Sequence, residues 1–147
     1  MDKIVLDTNV LIDGVKDEHS AAWQIINQIL EEKIQFFVSH PLKREYYKIL
    51  RREISDTEYS IRIDQLLNIA KQIEIHDIQR VVLDDPEDDK VLATALAAEA
   101  DFLISEDKHL LDLPPLEKLK ILKPKEYLNH NAKDSSWSDF ARLIGIQ

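Results

Sequence analysis

The stretch that most constrains the fold lies at the start of the chain, where an apolar run from Ile4 to Leu6 stops at a carboxylate, Asp7. Such a run is typical of a strand that is buried on both faces of a parallel sheet. Ligands of open α/β sheets bind beyond the carboxyl ends of the strands, where Asp7 falls. If the chain stays extended, Asp7 and Asn9 point to the same side. The competing interpretation is that Asp7 only caps a following helix.

Composition narrows the class of protein. The 147 residues are enough for one domain with a proper core, and 44% of them are apolar, which excludes a disordered chain. The absence of cysteine excludes disulfides and thiolate metal sites. No apolar stretch is long enough to span a bilayer, and the first residues do not have the layout of a signal peptide, so we expect a soluble cytoplasmic protein without a membrane partner. The net charge of −9 argues against non-specific nucleic-acid binding, although bound metal ions would invert the charge locally.

The order of predicted elements is β-α-β-α-α-β-α-β-α-β-α, with the third strand at residues 73–76 or 80–83. This alternation predicts a three-layer α/β/α fold with a central parallel sheet of about five strands. The chain has only two glycines, so a phosphate-binding glycine loop is excluded. Near the end, Pro124 starts a short helix through Leu128, and residues 129–136 are polar and linker-like. Residues 130–147 are therefore predicted to form a tail that contains a short amphipathic helix.

Four carboxylates are predicted to meet at one edge of the sheet. Asp7 and Asp107 each follow a strand, Asp89 lies at the start of a helix, and Glu45 lies one turn into a helix that follows a strand. Each acid alone is explained equally well as a helix cap or a solvated charge. Crowded together they would repel one another, so a protein keeps such a cluster mainly when divalent cations neutralise it. Oxygen ligands without cysteine or paired histidine indicate Mg²⁺ or Mn²⁺.

With these motifs the chain resembles the PIN-domain family, and most of all its toxin-like subgroup. The family includes many metal-dependent ribonucleases and the VapC-type toxins of toxin–antitoxin systems. The resemblance covers residues 1–129 as one PIN-like nuclease domain, and it leaves the tail without an inherited role. The matching segments are residues 4–12, 39–50, 84–90, 101–107, 110–111 and 120–128.

The resemblance implies a role for each matching residue. The catalytic, metal-binding acids would be Asp7, Glu45, Asp89 and Asp107. Supporting positions would be Asn9, which follows the first acid, Thr8, which holds the turn, Asp88, which adjoins the third acid, and Ser105, the hydroxyl near the last acid. The implied reaction is hydrolysis of an RNA phosphodiester, in which one or two Mg²⁺ or Mn²⁺ ions activate a water and stabilise charge on the phosphate.

A substrate of this kind needs positive surface. The candidate RNA-binding residues are Lys43, Arg44, Lys48, Arg51 and Arg52, on the helix of Glu45, together with Lys90 and Lys108, which adjoin the acids. The equally weighted alternative is an ordinary solvated helix face. By resemblance we further expect a homodimer and, for a toxin, a cognate antitoxin that covers the acidic cleft.

Three other functions stay open at this point. A PIN-like module could bind RNA or a partner without cutting, although the intact acids argue against it. A phosphotransfer enzyme could use Asp7 as nucleophile, but that chemistry usually needs a second acid where this chain has Asn9. A metal-dependent DNA nuclease is the nearest rival, because the 2′-OH contacts that distinguish RNA from DNA are not readable from sequence.

Overall fold

The structure is a computed structural model that describes residues 1–54, 57–75 and 86–145. Side chains are described throughout these ranges except at residues 57, 86–89 and 133–142. Within the described ranges, no helix is both long enough and apolar enough to cross a bilayer.

A parallel sheet forms the centre of the molecule, as predicted. The described part of the chain contributes five strands, in the spatial order β3-β2-β1-β4-β5, and every neighbouring pair is parallel. The first strand is central, with Ile4 opposite Phe36 on one side and Phe102 on the other. The strands are β1 (Lys3–Leu6), β2 (Gln35–Val38), β3 (Lys71–Gln72), β4 (Phe102–Ile104) and β5 (Lys120–Leu122).

Helices cover both faces of the sheet. Crossovers between parallel strands are right-handed as a rule, so this strand order puts the β1–β2 and β2–β3 connections on one face and the β3–β4 connection on the other. The result is the predicted three layers. The described residues form seven helices: α1 (Thr8–Lys16), α2 (Ala21–Leu30), α3 (His40–Glu53), α4 (Thr57–Ile69), α5 (Pro86–Ala97), α6 (Lys108–Leu111) and α7 (Pro124–Leu143). The helix α5 packs directly on β1, β2 and β4, and α1 packs on α2, α3 and α4.

The helix α1 was absent from the preferred sequence interpretation, but it agrees with the competing one in that Asp7 caps a following helix. The chain does not stay extended after Asp7, because the helix begins at Thr8 and buries Val10, Leu11 and Val15 against the core. The expectation that Asp7 and Asn9 point to one side therefore rested on a wrong backbone. Gly14 lies at the close contact of α1 with α2, where an added Cβ would lie 3.0 Å from the backbone carbonyl of Ala22 and 2.5 Å from Ile26 Cδ1.

The C-terminal prediction was also wrong in part. The helix that starts at Pro124 does not end at Leu128 but runs on to Leu143, through the stretch predicted to be a linker. That stretch contains neither glycine nor proline, so its polar residues lower helix propensity only modestly and do not stop the helix. The division of the chain at residue 129 stays a prediction, and the helix passes through that point.

The third strand is shifted from its predicted place. It is formed by Lys71–Gln72, and the backbone N–H of Ile73 extends the ladder by donating to the carbonyl of Val38 at 2.9 Å. The alternative run at residues 80–83 lies outside the described residues, as do the first two residues of the matching segment 84–90.

Candidate active site

The backbone positions of the predicted acids are at the carboxyl edge of the sheet. Asp7 directly follows β1, Asp107 lies three residues after the end of β4, and Glu45 is in the second turn of α3. The backbone of Asp88 and Asp89 is in the first turn of α5, but the side chains of both lie outside the described residues. Whether Asp89 completes the cluster therefore stays a prediction.

Hydrogen bonds of both its backbone and its side chain hold Asp7 in place. Its backbone N–H donates to the carbonyl of Ile104 at 2.9 Å, which extends the β1–β4 ladder by one residue. Its side chain is only 6% exposed. There, Oδ1 accepts from the backbone N–H of Thr8 at 2.8 Å and Oδ2 accepts from the hydroxyl of Ser105 at 2.7 Å. A carboxylate has about four lone-pair sites, so capping α1 and binding a cation are compatible roles for Asp7.

Ser105 connects the first acid to the last one. Its fully buried hydroxyl donates to Asp7 and accepts from the backbone N–H of Asp107 at 2.9 Å. Asp107 in turn caps α6, because its Oδ1 accepts from the backbone N–H of His109 at 2.9 Å. One hydroxyl therefore fixes the ends of β1 and β4 relative to each other and sets the distance between two of the predicted acids.

Glu45 lies on α3, which follows β2 on the side of β1 opposite to β4, and it is 5% exposed. Its Oε2 is 3.6 Å from the ammonium of Lys90, which is 34% exposed. A buried carboxylate is stable only when a charge or hydrogen bonds compensate the loss of water, and this ion pair provides part of that compensation. Both residues line a cavity of about 410 Å³, together with Pro41, Arg44 and Lys48.

A chain of buried hydroxyls positions Glu45 and Lys90 relative to each other. The hydroxyl of Thr94 donates to the carbonyl of Lys90 at 2.6 Å, so it accepts from the hydroxyl of Ser39, 2.7 Å away. Ser39 also caps α3 by accepting from the backbone N–H of Leu42 at 3.3 Å. The contact between the N-terminus of α3 and the third turn of α5 is thereby held in place. Sequence reasoning missed Thr94, whose only signal was a hydroxyl among the alanines of a buried helix.

Sequence reasoning also missed the contacts that Tyr46 makes. Its ring is fully buried and stacks on Phe36, and its hydroxyl donates to the carbonyl of Leu6, at the end of β1. Burial, and to a smaller extent the charge of Asp7, raises the pKa of Tyr46 well above its ordinary value of 10.0. Tyr46 therefore lies close enough to Asp7 to feel its charge, and it ties α3 to the strand that carries Asp7.

The other predicted site residues are divided between buried and exposed positions. Thr8 is buried in the first turn of α1, where its backbone holds Asp7, whereas Asn9 is exposed. On α3, Lys43 is half-buried, and the exposed cations are Arg44, Lys48, Arg51 and Arg52. Lys108 is exposed in the first turn of α6.

The donor atoms at this edge fit a hard divalent cation. Asp7, Glu45 and Asp107 offer only oxygen, which favours Mg²⁺ or Mn²⁺ over Zn²⁺. Among the side chains that the structure describes, no three histidines or acids are grouped closely enough to hold a metal ion, and Asp89 is not among those side chains. The role of Asp89 as a further ligand stays a prediction.

We expect Tyr46→Phe to lower the free energy of unfolding at neutral pH by about 1 kcal/mol, because a buried hydrogen bond is lost. The difference in free energy of unfolding between wild type and the variant should become smaller at alkaline pH. With a raised pKa, native Tyr46 keeps its proton above pH 10 whereas the unfolded chain releases it, so this contribution is complete below about pH 10 and is lost as the pH rises through the native pKa. Between pH 10 and the native pKa, the free energy of unfolding of wild type should therefore fall with pH more steeply than that of Tyr46→Phe, by up to about 1.4 kcal/mol per pH unit. Urea unfolding at neutral and alkaline pH measures both effects, and identical alkaline profiles would contradict the burial of this phenol.

Comparison with known proteins agrees with the architecture. A family model described as the PIN domain matches residues 3–109. A comparison with curated proteins gave no significant match. Among solved structures, the chain is similar to the crystal structure of VapBC2 from Rickettsia felis bound to a DNA fragment from their promoter, with 12% sequence identity and a TM-score of 0.59 over 81% of this chain and 96% of that chain. At this identity the likeness shows a shared fold. Because the family model spans most of the sequence, the chain belongs to the PIN-domain family.

Proposed function

We propose that this protein is a metal-dependent endoribonuclease that hydrolyses RNA phosphodiester bonds with Mg²⁺ or Mn²⁺. The observation that carries the proposal is the Asp7–Ser105–Asp107 linkage at the carboxyl edge of the sheet, in a chain of the PIN-domain family. Ligands of open α/β sheets bind at this edge. The proposed metal ligands are Asp7, Glu45, Asp107 and Asp89.

The proposed chemistry needs no side-chain nucleophile. When bound, the divalent cation supplies an activated water and stabilises charge on the phosphate and the leaving oxygen. The protein's part is to hold carboxylates in fixed positions before substrate arrives. Thr8 and Ser105 restrain the two oxygens of Asp7, and Tyr46 restrains the strand end from which Asp7 projects. Such pre-organisation is the main contribution of a protein to a metal-assisted reaction.

The cations of α3 support phosphate binding next to these acids. Arg44 and Lys48 line the same cavity as Glu45 and Lys90, which places positive charge beside the proposed metal ligands. Arg51 and Arg52 continue the positive surface toward the end of α3, about 12 Å from Arg44 along the helix axis. Although the net charge of the chain is −9, these exposed cations form a local positive surface that is suited to bind a polyanion such as RNA. Lys43 and Lys108 are secondary candidates at its margins.

A toxin role in a toxin–antitoxin system is the biological context we propose. It is supported by the shared fold with VapBC2 and by the PIN-domain family. It predicts a homodimer in the cytoplasm and a small cognate antitoxin whose segment covers the acidic cleft. The neighbouring gene and a co-purification of the two products test this context separately from the chemistry.

Asp7→Asn is the first test of the reaction. The variant should cleave single-stranded RNA more than about 100-fold slower than wild type in Mg²⁺ or Mn²⁺, because a ligand charge is lost. Its melting temperature should also respond less to millimolar Mn²⁺, since a cation that binds only the native state stabilises it.

The matched control is Glu106→Gln, which removes one exposed acid from the same edge without touching a proposed ligand. It should keep wild-type cleavage and the wild-type response to Mn²⁺. Equal cleavage by Asp7→Asn and wild type would overturn the proposal and leave a binding module. Faster cleavage of single-stranded DNA than of RNA would replace it with a DNA nuclease.

A second prediction concerns how the affinity for RNA depends on salt when cations of α3 are removed. In the slow Asp7→Asn background with Mg²⁺, Lys48→Gln and Arg51→Gln should each reduce the slope of log affinity against log salt by about 0.7 for single-stranded RNA. Lys33→Gln is the control, because Lys33 precedes β2 at the opposite edge of the sheet. An unchanged slope in both α3 variants would mean that these residues form an ordinary solvated helix face.

A further inference from the structure

In the Glu45–Lys90 ion pair, the carboxylate of Glu45 is held in place whereas the side chain of Lys90 can move. Glu45 is buried on α3, and its helix is held by the Ser39 cap and by Tyr46. The backbone of Lys90 is held by Thr94, but its ammonium is carried on a flexible four-carbon stem and is one-third exposed. The contact between them, at 3.6 Å, is therefore one that Lys90 can leave without a change in the fold.

This ammonium lies beside a carboxylate that we propose as a metal ligand. An ammonium and a divalent cation have charges of the same sign, so both cannot remain close to Glu45 without mutual repulsion. Binding of the metal therefore favours movement of Lys90 away from Glu45. The displaced side chain already lines the cavity of about 410 Å³ that Arg44 and Lys48 share.

We infer that Lys90 is an internal counter-ion that couples metal binding to substrate binding, an inference that rests on the proposed function. Without metal, Lys90 neutralises the buried charge of Glu45. With metal bound, Lys90 is released into the cavity and contacts an RNA phosphate together with Arg44 and Lys48. Lys90 thus keeps the metal-free site stable and adds positive charge to the substrate surface only when the site is ready to react.

The test compares Lys90→Met with Lys48→Met, using Mn²⁺ alone as the first probe. Both variants remove one ammonium from the same cavity and keep a stem of similar length, and Lys90 is the residue whose ammonium lies 3.6 Å from Glu45 Oε2. Calorimetric titration should show that Lys90→Met binds Mn²⁺ at least about threefold more tightly than wild type, because the competing cation is gone. Lys48→Met should change Mn²⁺ affinity by less than half as much.

Melting curves provide the second readout. In chelator, Lys90→Met should melt at a lower temperature than wild type, because Glu45 has lost its counter-ion, and Mn²⁺ should restore it. The shift caused by Mn²⁺ should therefore be larger in Lys90→Met than in wild type or Lys48→Met. RNA cleavage at saturating Mn²⁺ provides the third readout. In Lys90→Met, KM for RNA should rise at least about threefold, because a phosphate contact is lost, and kcat should change less than KM.

The outcomes separate the two proposals. If wild type binds Mn²⁺ but Lys90→Met binds it equally or more weakly, the counter-ion role is wrong while the metal site stands. If Lys48→Met strengthens Mn²⁺ binding as much as Lys90→Met, general electrostatics explains the effect and the specific pairing is overturned. An unchanged KM would overturn the phosphate contact. If no variant, wild type included, binds Mn²⁺, the proposed metal-dependent function fails and this inference fails with it.

Discussion

The hydrogen bond from the Ser105 hydroxyl to Asp7 is the interaction on which the arrangement at the sheet edge depends. Asp7 is almost completely removed from water, and a buried carboxylate without partners would destabilise the fold or become protonated. Ser105 supplies one partner from the neighbouring strand and at the same time accepts from the backbone of Asp107. The end of the central strand, the end of β4 and the start of α6 are consequently fixed together.

A second set of buried polar contacts positions the remaining half of the site. Ser39 and Thr94 lock α3 to α5, and this sets Glu45 opposite Lys90. Tyr46 joins α3 to the end of β1, so the two halves share one strand end. Buried hydroxyls are costly when unpaired, and each of these has a partner in the structure. The site is therefore supported by the core of the protein rather than by mobile loops, which suits a reaction that needs carboxylates in fixed positions.

The sequence predicted the sheet and the edge at which the acids lie, because parallel strands have all their carboxyl ends on one side. The preferred interpretation did not include α1, since Val10, Leu11 and Ile12 fit an apolar run as well as a helix face, and only the alternative in which Asp7 caps a helix anticipated it. It also mistook part of α7 for a linker, because polar residues were taken as a break where no glycine or proline stops the helix. The bonds made by Tyr46 and Thr94 join residues about 40 or more positions apart, and local patterns contain no signal for such contacts.

The most direct measurement is the position of Mn²⁺ in a crystal of the wild-type protein, located by its anomalous scattering. The account predicts a peak at the carboxyl edge of the sheet, within about 2.0–2.3 Å of carboxylate oxygens of Asp7 and at least one other proposed ligand. Lys90 should then have moved away from Glu45. A crystal grown in millimolar Mn²⁺ with no peak at this edge, or with a peak only elsewhere on the surface, would contradict the central claim that these carboxylates form a metal site.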